Sequence, residues 1–227
     1  MTIKKPLAIV AGAGTGLGQS LCASVEQDGY QVVGLGRTAP SNPIGQFHAL
    51  DLADMNAAPT KLTSIINDYG PPKIVIHNTA ELVIAPLADT TLDDFSRTWT
   101  SMVQSAFILA QTTLPQMEKA GGGTFIVSGA TASLRGGAKF AAFASAKFAL
   151  RGLTQSLARE YQLRGIHVCH VILDGIIDTA KSRDQHSLDP SKMMRPEDIA
   201  QAYLQLVHQP QSTWTHELDL RPASEGF

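Results

Sequence analysis

The chain has 227 residues, a length that suits one domain with a substantial buried core. Its 18 lysines and arginines nearly balance its 20 aspartates and glutamates, and its few aromatic residues are not interleaved with basic clusters. This balance argues against a nucleic-acid or membrane partner. No run approaches the roughly 20 apolar residues that cross a bilayer, so we expect a cytoplasmic protein.

Short apolar runs alternate with longer amphipathic ones along the chain. The short runs are β-branched and bounded by turn residues, which predicts buried strands at 7–12, 31–36, 73–78, 124–129 and 166–173. The longer runs predict helices at 17–28, about 55–67, about 92–119, about 141–163 and 195–207. Strands separated by helices require right-handed crossovers and therefore a parallel sheet covered on both faces. We predict an α/β fold, a doubly wound Rossmann sheet, in a single domain over 1–227.

The segment 178–195, DTAKSRDQHSLDPSKMMR, is the loosest part of the sequence. It is polar and rich in turn-forming residues, which is typical of loops that cover a binding site. We predict that it is a mobile lid on the substrate side.

Two cysteines and three histidines lie in or beside the predicted strands and helices. Cys22 and Cys169 are far apart and each is embedded in an apolar run, so buried thiols in a reducing compartment are expected, with a disulfide or a metal pair as the alternative. His77, His167 and His170 are interpreted as hydrogen-bonded core residues. We assign no metal site.

The first predicted strand leads into a glycine-rich turn, AGAGTGLGQSL, at 11–21. Gly12, Gly16 and Gly18 follow a G-x-x-x-G-x-G spacing, and Gly14 is additional. Glycines at these points let the backbone turn tightly and approach a pyrophosphate, whose charge meets the N-terminus of the next helix. A glycine-rich turn without a ligand is the alternative. The order of strand, turn and helix at the start of the chain favours a dinucleotide site.

The second predicted strand ends in GLGRTAP, at 34–40. A fold that binds NAD commonly carries an acidic residue here for the ribose hydroxyls, whereas this chain has Gly36 and then Arg37. A guanidinium can bind the 2′-phosphate of NADP, although a solvated surface arginine is the alternative reading. We predict NADP as the cofactor in preference to NAD.

Taken together, these residues resemble the short-chain dehydrogenase/reductase superfamily over nearly the whole chain. HNTA, at 77–80, stands where that family has Asn-Asn-Ala-Gly, and DGIIDT, at 174–179, stands where it has Pro-Gly-x-Val-x-Thr. The resemblance implies that Asp51 and Leu52 contact the adenine and that Ile177 and Thr179 face the nicotinamide carboxamide. The whole implied cofactor site comprises Gly12, Thr15, Gly16, Leu17, Gly18, Arg37, Asp51, Leu52, Asn78, Ala80, Lys147, Gly175, Ile177 and Thr179.

The chemistry of this family depends on a tetrad of asparagine, serine, tyrosine and lysine. The resemblance places Met102 at the asparagine position, Ala130 at the serine position and Phe143 at the tyrosine position, so that only Lys147 remains. Tyr161 is the nearest tyrosine in sequence, but 14 residues of helix correspond to ~21 Å. No neighbouring tyrosine is therefore expected to supply the missing hydroxyl.

Lys147 is the predicted catalytic residue, and Ser128, Ala130 and Phe143 form the predicted substrate pocket. The resemblance gives Lys147 the nicotinamide ribose as its partner. A second possibility is that an apolar pocket lowers its pKa so that it donates a proton. The third possibility is that Lys147 is an ordinary lysine on the surface of a helix. A general acid or base contributes ~10²–10⁴ in rate, so carbonyl reduction is expected to suffer, whereas a quinone or an activated alkene remains a plausible acceptor.

Three classes of function stay open. The first is an NADP(H)-dependent oxidoreductase of atypical mechanism acting on an unidentified small molecule, favoured because the cofactor features are largely intact. The second is a catalytically inactive NADP(H)-binding regulator or sensor, and the third is an interaction protein that keeps only the fold. The helices near 95–118 and 141–163 have apolar stripes, and family members pair these helices across a dimer axis, which implies a homodimer or homotetramer.

Overall fold

Seven strands and seven α-helices alternate along residues 5–224, the part of the chain that this computed structural model describes. The strands are β1 (Leu7–Ala11), β2 (Gln31–Gly36), β3 (Gln46–Ala49), β4 (Pro72–His77), β5 (Gly123–Ser128), β6 (Ile166–Leu173) and β7 (Glu217–Leu220). The helices are α1 (Leu17–Gln27), α2 (Ala57–Tyr69), α3 (Leu92–Trp99), α4 (Ser105–Lys119), α5 (Ala141–Tyr161), α6 (Ala180–Gln185) and α7 (Pro196–Val207).

All seven strands form one parallel sheet in the order β3-β2-β1-β4-β5-β6-β7. Helices α2, α4 and α5 pack on one face, and α1 and α7 pack on the other. The central strands are buried and mostly apolar because both of their faces are covered, and the histidines of β4 and β6 are the main exceptions. The predicted doubly wound α/β fold is confirmed. The strand order reverses between β1 and β4, and ligands of such sheets bind at this point, beyond the carboxyl ends of the strands.

The structure contains two strands and one helix that the sequence patterns did not predict. Strands β3 and β7 lie at the two edges of the sheet, and their side chains are only partly buried. An edge strand needs no continuous apolar run, so the pattern that identified the central strands is missing from both. Helix α6 has only six residues and lies within the segment 178–195.

The predicted helix at about 92–119 is present, but it is interrupted by a π-helical turn at Thr100–Gln104. Such single turns of π-helix occur frequently at functional sites. Pro115 lies inside α4, after this turn. No helix within residues 5–224 is long and apolar enough to cross a membrane.

The cysteines and histidines of the core have the predicted environments. Cys22 and Cys169 are buried free thiols, and burial raises the pKa of each. His77, His167 and His170 are at most 2% exposed, and each uses one ring nitrogen in a hydrogen bond.

Candidate functional site

Two cavities adjoin at the carboxyl ends of the strands. The larger cavity, of about 530 Å³, lies beyond β4, β5 and β6. The smaller cavity, of about 320 Å³, lies beyond β1, β2 and β3. Asn78, Thr79 and Ala80 follow β4 and line both cavities. The two cavities are therefore parts of one cleft at the point where the strand order reverses.

Three glycines of the turn after β1, namely Gly12, Gly16 and Gly18, are packed too closely for a side chain. A Cβ atom on Gly12, whose φ is 83°, would lie 2.6 Å from the carbonyl oxygen of Asn78. A Cβ on Gly18 would lie 2.2 Å from the oxygen of Gly12, and one on Gly16 would lie 2.7 Å from Cγ2 of Thr179. Among the described residues no side chain caps the N-terminus of α1, and its first turn holds no acidic residue. Its free N–H groups can therefore bind an anion.

Arg37 stands at the mouth of the smaller cavity. Its side chain is 69% exposed, and Nη2 lies 3.9 Å from Oε2 of Glu81. Leu52 is buried in the cavity wall, whereas Asp51 is exposed and accepts a hydrogen bond from the backbone N–H of Ala53, at 3.0 Å. The smaller cavity thus combines apolar residues such as Leu52 with polar ones, among them the exposed guanidinium of Arg37 and the exposed carboxylate of Asp51.

Lys147 projects from α5 into the larger cavity and is only 3% exposed. Its Nζ donates a hydrogen bond to the carbonyl oxygen of Ser128, at 2.8 Å, and lies 5.6 Å from the centre of the Phe143 ring. Burial lowers the pKa of Lys147 to about 8. Among residues 5–224, no carboxylate lines this cavity, so no acidic side chain of the described lining compensates the ammonium charge.

The hydroxyl of Ser128, a lining residue of the larger cavity, is engaged in hydrogen bonds within the protein. Ser128 Oγ donates to Oδ1 of Asn78, at 2.8 Å, and lies 2.8 Å from the hydroxyl of Tyr203. Because the single Ser128 proton is directed to Asn78, Tyr203 is the donor in the second bond. Burial raises the pKa of Tyr203, which keeps this phenol protonated.

The other hydroxyls that follow β5 are also engaged within the protein. Thr131 donates to the carboxylate of Asp174. Ser133 Oγ accepts from the backbone N–H of Ala130, at 3.2 Å, and lies 3.0 Å from Nε2 of His170. Burial lowers the pKa of His170 to about 3, so this ring is neutral at physiological pH.

A polar cluster holds the π-helical turn beside the smaller cavity. Thr79 Oγ1 and Ser105 Oγ both donate to the carbonyl oxygen of Ser101, at 2.7 and 2.6 Å. Nε2 of His77 lies 2.8 Å from each of these two hydroxyls. Burial lowers the pKa of His77 to about 3, and the charge of Lys147 contributes to this shift. The cluster therefore contains no charge of its own.

The model of the family described as short chain dehydrogenase matches residues 6–188. A short-chain dehydrogenase from Rhodopseudomonas palustris, known from its crystal structure, is 32% identical and superposes with a TM-score of 0.77, covering 96% of this chain and 98% of that one. The chain belongs to the short-chain dehydrogenase family.

Two further proteins are similar to this short-chain dehydrogenase family member. An uncharacterized oxidoreductase of Staphylococcus aureus strain USA300 is 25% identical over 228 residues, which cover 95% of this chain and 96% of that protein. An alcohol dehydrogenase from the archaeon Thermococcus sibiricus, solved in complex with 5-hydroxy-NADP, has a TM-score of 0.85 over 97% of this chain and 98% of its own. At 18% identity, this second likeness shows the fold alone.

The fold of this short-chain dehydrogenase family member brings most of the predicted site residues to the cleft. The larger cavity is lined by Asn78, Ala80, Ser128, Ala130, Phe143, Lys147, Gly175 and Ile177. The smaller cavity is lined by Gly12, Arg37, Asp51, Leu52, Asn78 and Ala80. Thr15, Gly16, Leu17 and Gly18 form the turn into α1, where Gly16 approaches Thr179. Met102 is fully buried in the π-helical turn and lines neither cavity.

The sequence patterns did not identify three residues that lie in or next to the cleft. Glu81 pairs with Arg37, Tyr203 binds Ser128 from α7, and Arg135 lines the larger cavity. The resemblance to the short-chain dehydrogenases assigns no role to these positions. Only the folded chain brings Tyr203 to Ser128, because 75 residues separate them in the sequence.

Proposed function

We propose that this chain is an NADP(H)-dependent oxidoreductase with an atypical active site that transfers a hydride to an unidentified small molecule. The observation that carries the proposal is the turn after β1, where Gly12 and Gly18 leave no room for a Cβ and the N-terminus of α1 is uncapped. Such a cradle fits a pyrophosphate, because N–H groups and the helix dipole bind its charge. The cavities on either side of Asn78 would then hold the adenosine and nicotinamide halves.

The preference for NADP rests on Arg37. Its guanidinium is exposed at the mouth of the smaller cavity, beside Gly36 and Thr38 in the sequence, and the lining of that cavity also contains the carboxylate of Asp51. A guanidinium binds a 2′-phosphate through charge-assisted hydrogen bonds, whereas the ribose hydroxyls of NAD gain less from it. Glu81 competes for the same guanidinium at 3.9 Å.

The reacting groups would meet in the larger cavity. Bound NADPH supplies the hydride there. Lys147 is placed to hold the nicotinamide ribose, and its lowered pKa also suits it to donate a proton to the reduced product. Phe143 and Ala130 bring no hydroxyl to the cavity. We therefore favour acceptors that need little help from an acid, such as quinones and activated alkenes.

A catalytically inactive NADP(H)-binding regulator or sensor is the second candidate. It is favoured by one observation, that the hydroxyls of Ser128, Thr131 and Ser133 are all engaged within the protein. This candidate requires cofactor binding without turnover of any acceptor.

We also propose that the segment 178–195 acts as a lid over the larger cavity. Ser182 and His186 of this segment line that cavity. The two ends of the segment are tied together, because the N–H of Asp178 donates to the carbonyl oxygen of Met194, at 2.8 Å. A loop with fixed ends and a polar middle can open without disturbing the sheet.

A homodimer or homotetramer is the assembly that we propose. Helices α3, α4 and α5 expose large aromatic side chains, namely Phe95, Trp99, Phe107 and Phe148, at 38–50%. Exposed apolar groups on neighbouring helices are typical of a protein interface. Light scattering should give the mass of two or four chains, and the mass of a single chain would contradict the proposal.

The cofactor assignment is tested by thermal unfolding with NADPH, with NADH and without cofactor. A ligand at about 100 times its dissociation constant stabilises the folded state by ~2.7 kcal/mol. We expect a clear shift with NADPH and a smaller one with NADH, and Arg37→Asp should abolish the difference. Arg159→Asp makes the same charge change on α5, outside both cavities, and should leave the difference intact. The absence of a shift with either cofactor would remove the oxidoreductase proposal, whereas a shift without turnover of quinones and activated alkenes would favour the regulator.

A further inference from the structure

In the part of the chain that the structure describes, the lining of the larger cavity has basic residues and no acidic ones. Lys147, Arg135 and His186 contribute the basic groups, and most other lining residues are apolar or glycine. Asp174 precedes the lining residue Gly175, but it is only 5% exposed, and its Oδ2 lies 3.0 Å from Nη2 of Arg221. The cavity therefore has an excess of positive charge that a ligand can neutralise.

Arg135 is the exposed cation of this lining. It lies in the loop between β5 and α5, and its side chain forms no ion pair or hydrogen bond with any residue between 5 and 224. Lys147, in contrast, is buried and already bound to the carbonyl oxygen of Ser128. An anionic group that enters from solvent reaches a free guanidinium only at Arg135.

The cavity that Arg135 lines also has apolar walls. Leu82 and Ile84 are 52% and 51% exposed, and both line the cavity together with Phe140. The loops that carry them are tied to each other, because the N–H of Ala85 donates to the carbonyl oxygen of Lys139, at 3.0 Å. Half-exposed apolar side chains held around a cavity of this volume are suited to an apolar ligand of small-molecule size.

We propose that the larger cavity takes an apolar compound that carries one carboxylate, and that Arg135 binds the carboxylate. A guanidinium presents two parallel N–H donors that match the two oxygens of a carboxylate, and a single exposed arginine matches a single negative charge. The apolar body then lies against Leu82, Ile84 and the ring of Phe140. This inference rests on the proposed function, because that function assigns the larger cavity to the substrate.

The test uses a matched pair of probes, 4-phenylbutyrate and 4-phenylbutan-1-ol, which share an apolar body and differ in charge. Their dissociation constants are measured by calorimetry, with and without NADPH, for the wild type, Arg135→Gln and Lys139→Gln. Lys139→Gln removes an equal charge from the same loop at a residue outside the lining. We expect Arg135→Gln to weaken 4-phenylbutyrate about tenfold and the alcohol less than twofold, since only the carboxylate loses a charge-assisted hydrogen bond. Lys139→Gln should change both less than twofold.

Three results would overturn the inference. These are equal affinity of the wild type for the two probes, equal weakening of both probes by Arg135→Gln, and no binding of 4-phenylbutyrate with or without NADPH. Because Arg135 is exposed, its replacement should leave the thermal unfolding temperature unchanged, which separates lost binding from lost folding. Binding of 4-phenylbutyrate that depends on Arg135 in a protein that does not bind NADPH would remove the oxidoreductase proposal and leave the carboxylate site standing.

Discussion

The two cavities of the cleft are built from different parts of the chain. The smaller cavity borders a backbone turn in which a Cβ on Gly12 would collide with the main chain of Asn78. The larger cavity is shaped by side chains such as Leu82, Phe140 and Phe143, which come from separate loops and from α5. A Cβ at Gly12 would therefore disturb the backbone beside the first cavity, whereas a change of side chain at Phe143 alters the chemistry of the second cavity. Phe143 and Ala130, which carry no hydroxyl, line this second cavity.

The largest expected effect comes from restoring hydroxyls to the larger cavity. In Phe143→Tyr/Ala130→Ser, a phenol would extend from a ring whose centre lies 5.6 Å from Nζ of Lys147. The lysine charge would lower the pKa of that phenol, and an acid group contributes ~10²–10⁴ in rate. We expect kcat/KM for NADPH-dependent reduction of simple aldehydes and ketones to rise about a hundredfold or more.

The single variant Ala130→Ser provides the control for the expected rise in kcat/KM. Ala130→Ser alone brings no acid, so it should raise the rate far less than the double variant does. A double variant that binds NADPH but reduces no carbonyl compound would show that the larger cavity differs from a carbonyl reductase site in more than two side chains.

The next effect concerns the backbone of the glycine turn. Gly12→Ala combines a φ of 83° with a Cβ 2.6 Å from the oxygen of Asn78, whereas a Cβ on Gly14 would meet nothing within 4 Å. We expect Gly12→Ala to lower the free energy of unfolding by roughly 3 kcal/mol in urea, and Gly14→Ala to change it by less than about 0.5 kcal/mol. Equal stability of the two variants would contradict the view that the backbone shapes this side of the cleft.

A third prediction concerns the charge buried in the larger cavity. Burial lowers the pKa of Lys147 from its usual 10.5 to about 8, so below pH 8 the folded state holds a poorly solvated ammonium. Between pH 8 and 10.5 the folded state loses this proton while the unfolded state keeps it. The contribution of Lys147 to the free energy of unfolding should therefore rise with pH across this window, by up to about 3 kcal/mol, whereas the buried thiols of Cys22 and Cys169 contribute in the opposite direction in the wild type and in the variants alike. Lys147→Met should lack this rise.

Urea unfolding at pH 7, 9 and 10.5 measures this difference. Lys119→Met removes an exposed lysine from α4 and should keep the pH dependence of the wild type. Lys147→Met removes the buried charge, which should raise the free energy of unfolding at pH 7. It also leaves the carbonyl oxygen of Ser128 without the Lys147 donor, and this loss offsets part of that increase by ~1–3 kcal/mol. Parallel pH curves for the wild type and Lys147→Met would show that Lys147 is better solvated than its 3% exposure implies.

The sequence predicted the parts of the molecule that depend on local patterns. The buried strands and the turn at Gly12 follow from apolar runs and glycine spacing, which are properties of neighbouring residues. The edge strand β7 was missed because a half-buried strand has no such run. The contacts of Glu81 with Arg37 and of Tyr203 with Ser128 join distant parts of the chain, and no local pattern encodes them. That the guanidinium of Arg135 has no ion-pair partner between residues 5 and 224 is likewise visible only when the whole lining of the cavity is known.

The smallest effect concerns Glu81, which reaches Arg37 at the mouth of the smaller cavity. Both side chains are partly solvated and 3.9 Å apart, so the pair is weak and is screened by salt. Glu81→Gln frees the guanidinium and removes a charge that repels a 2′-phosphate, so NADPH should bind about twofold more tightly at low ionic strength while NADH is unchanged. Glu118→Gln, on the far end of α4, is the matched control and should alter neither affinity. Since side chains at a cavity mouth act through charge rather than shape, the gain should vanish at about 1 M salt. A gain that persists there, or one shared by NADH, would mean that Glu81 acts on the cleft in some way other than through Arg37.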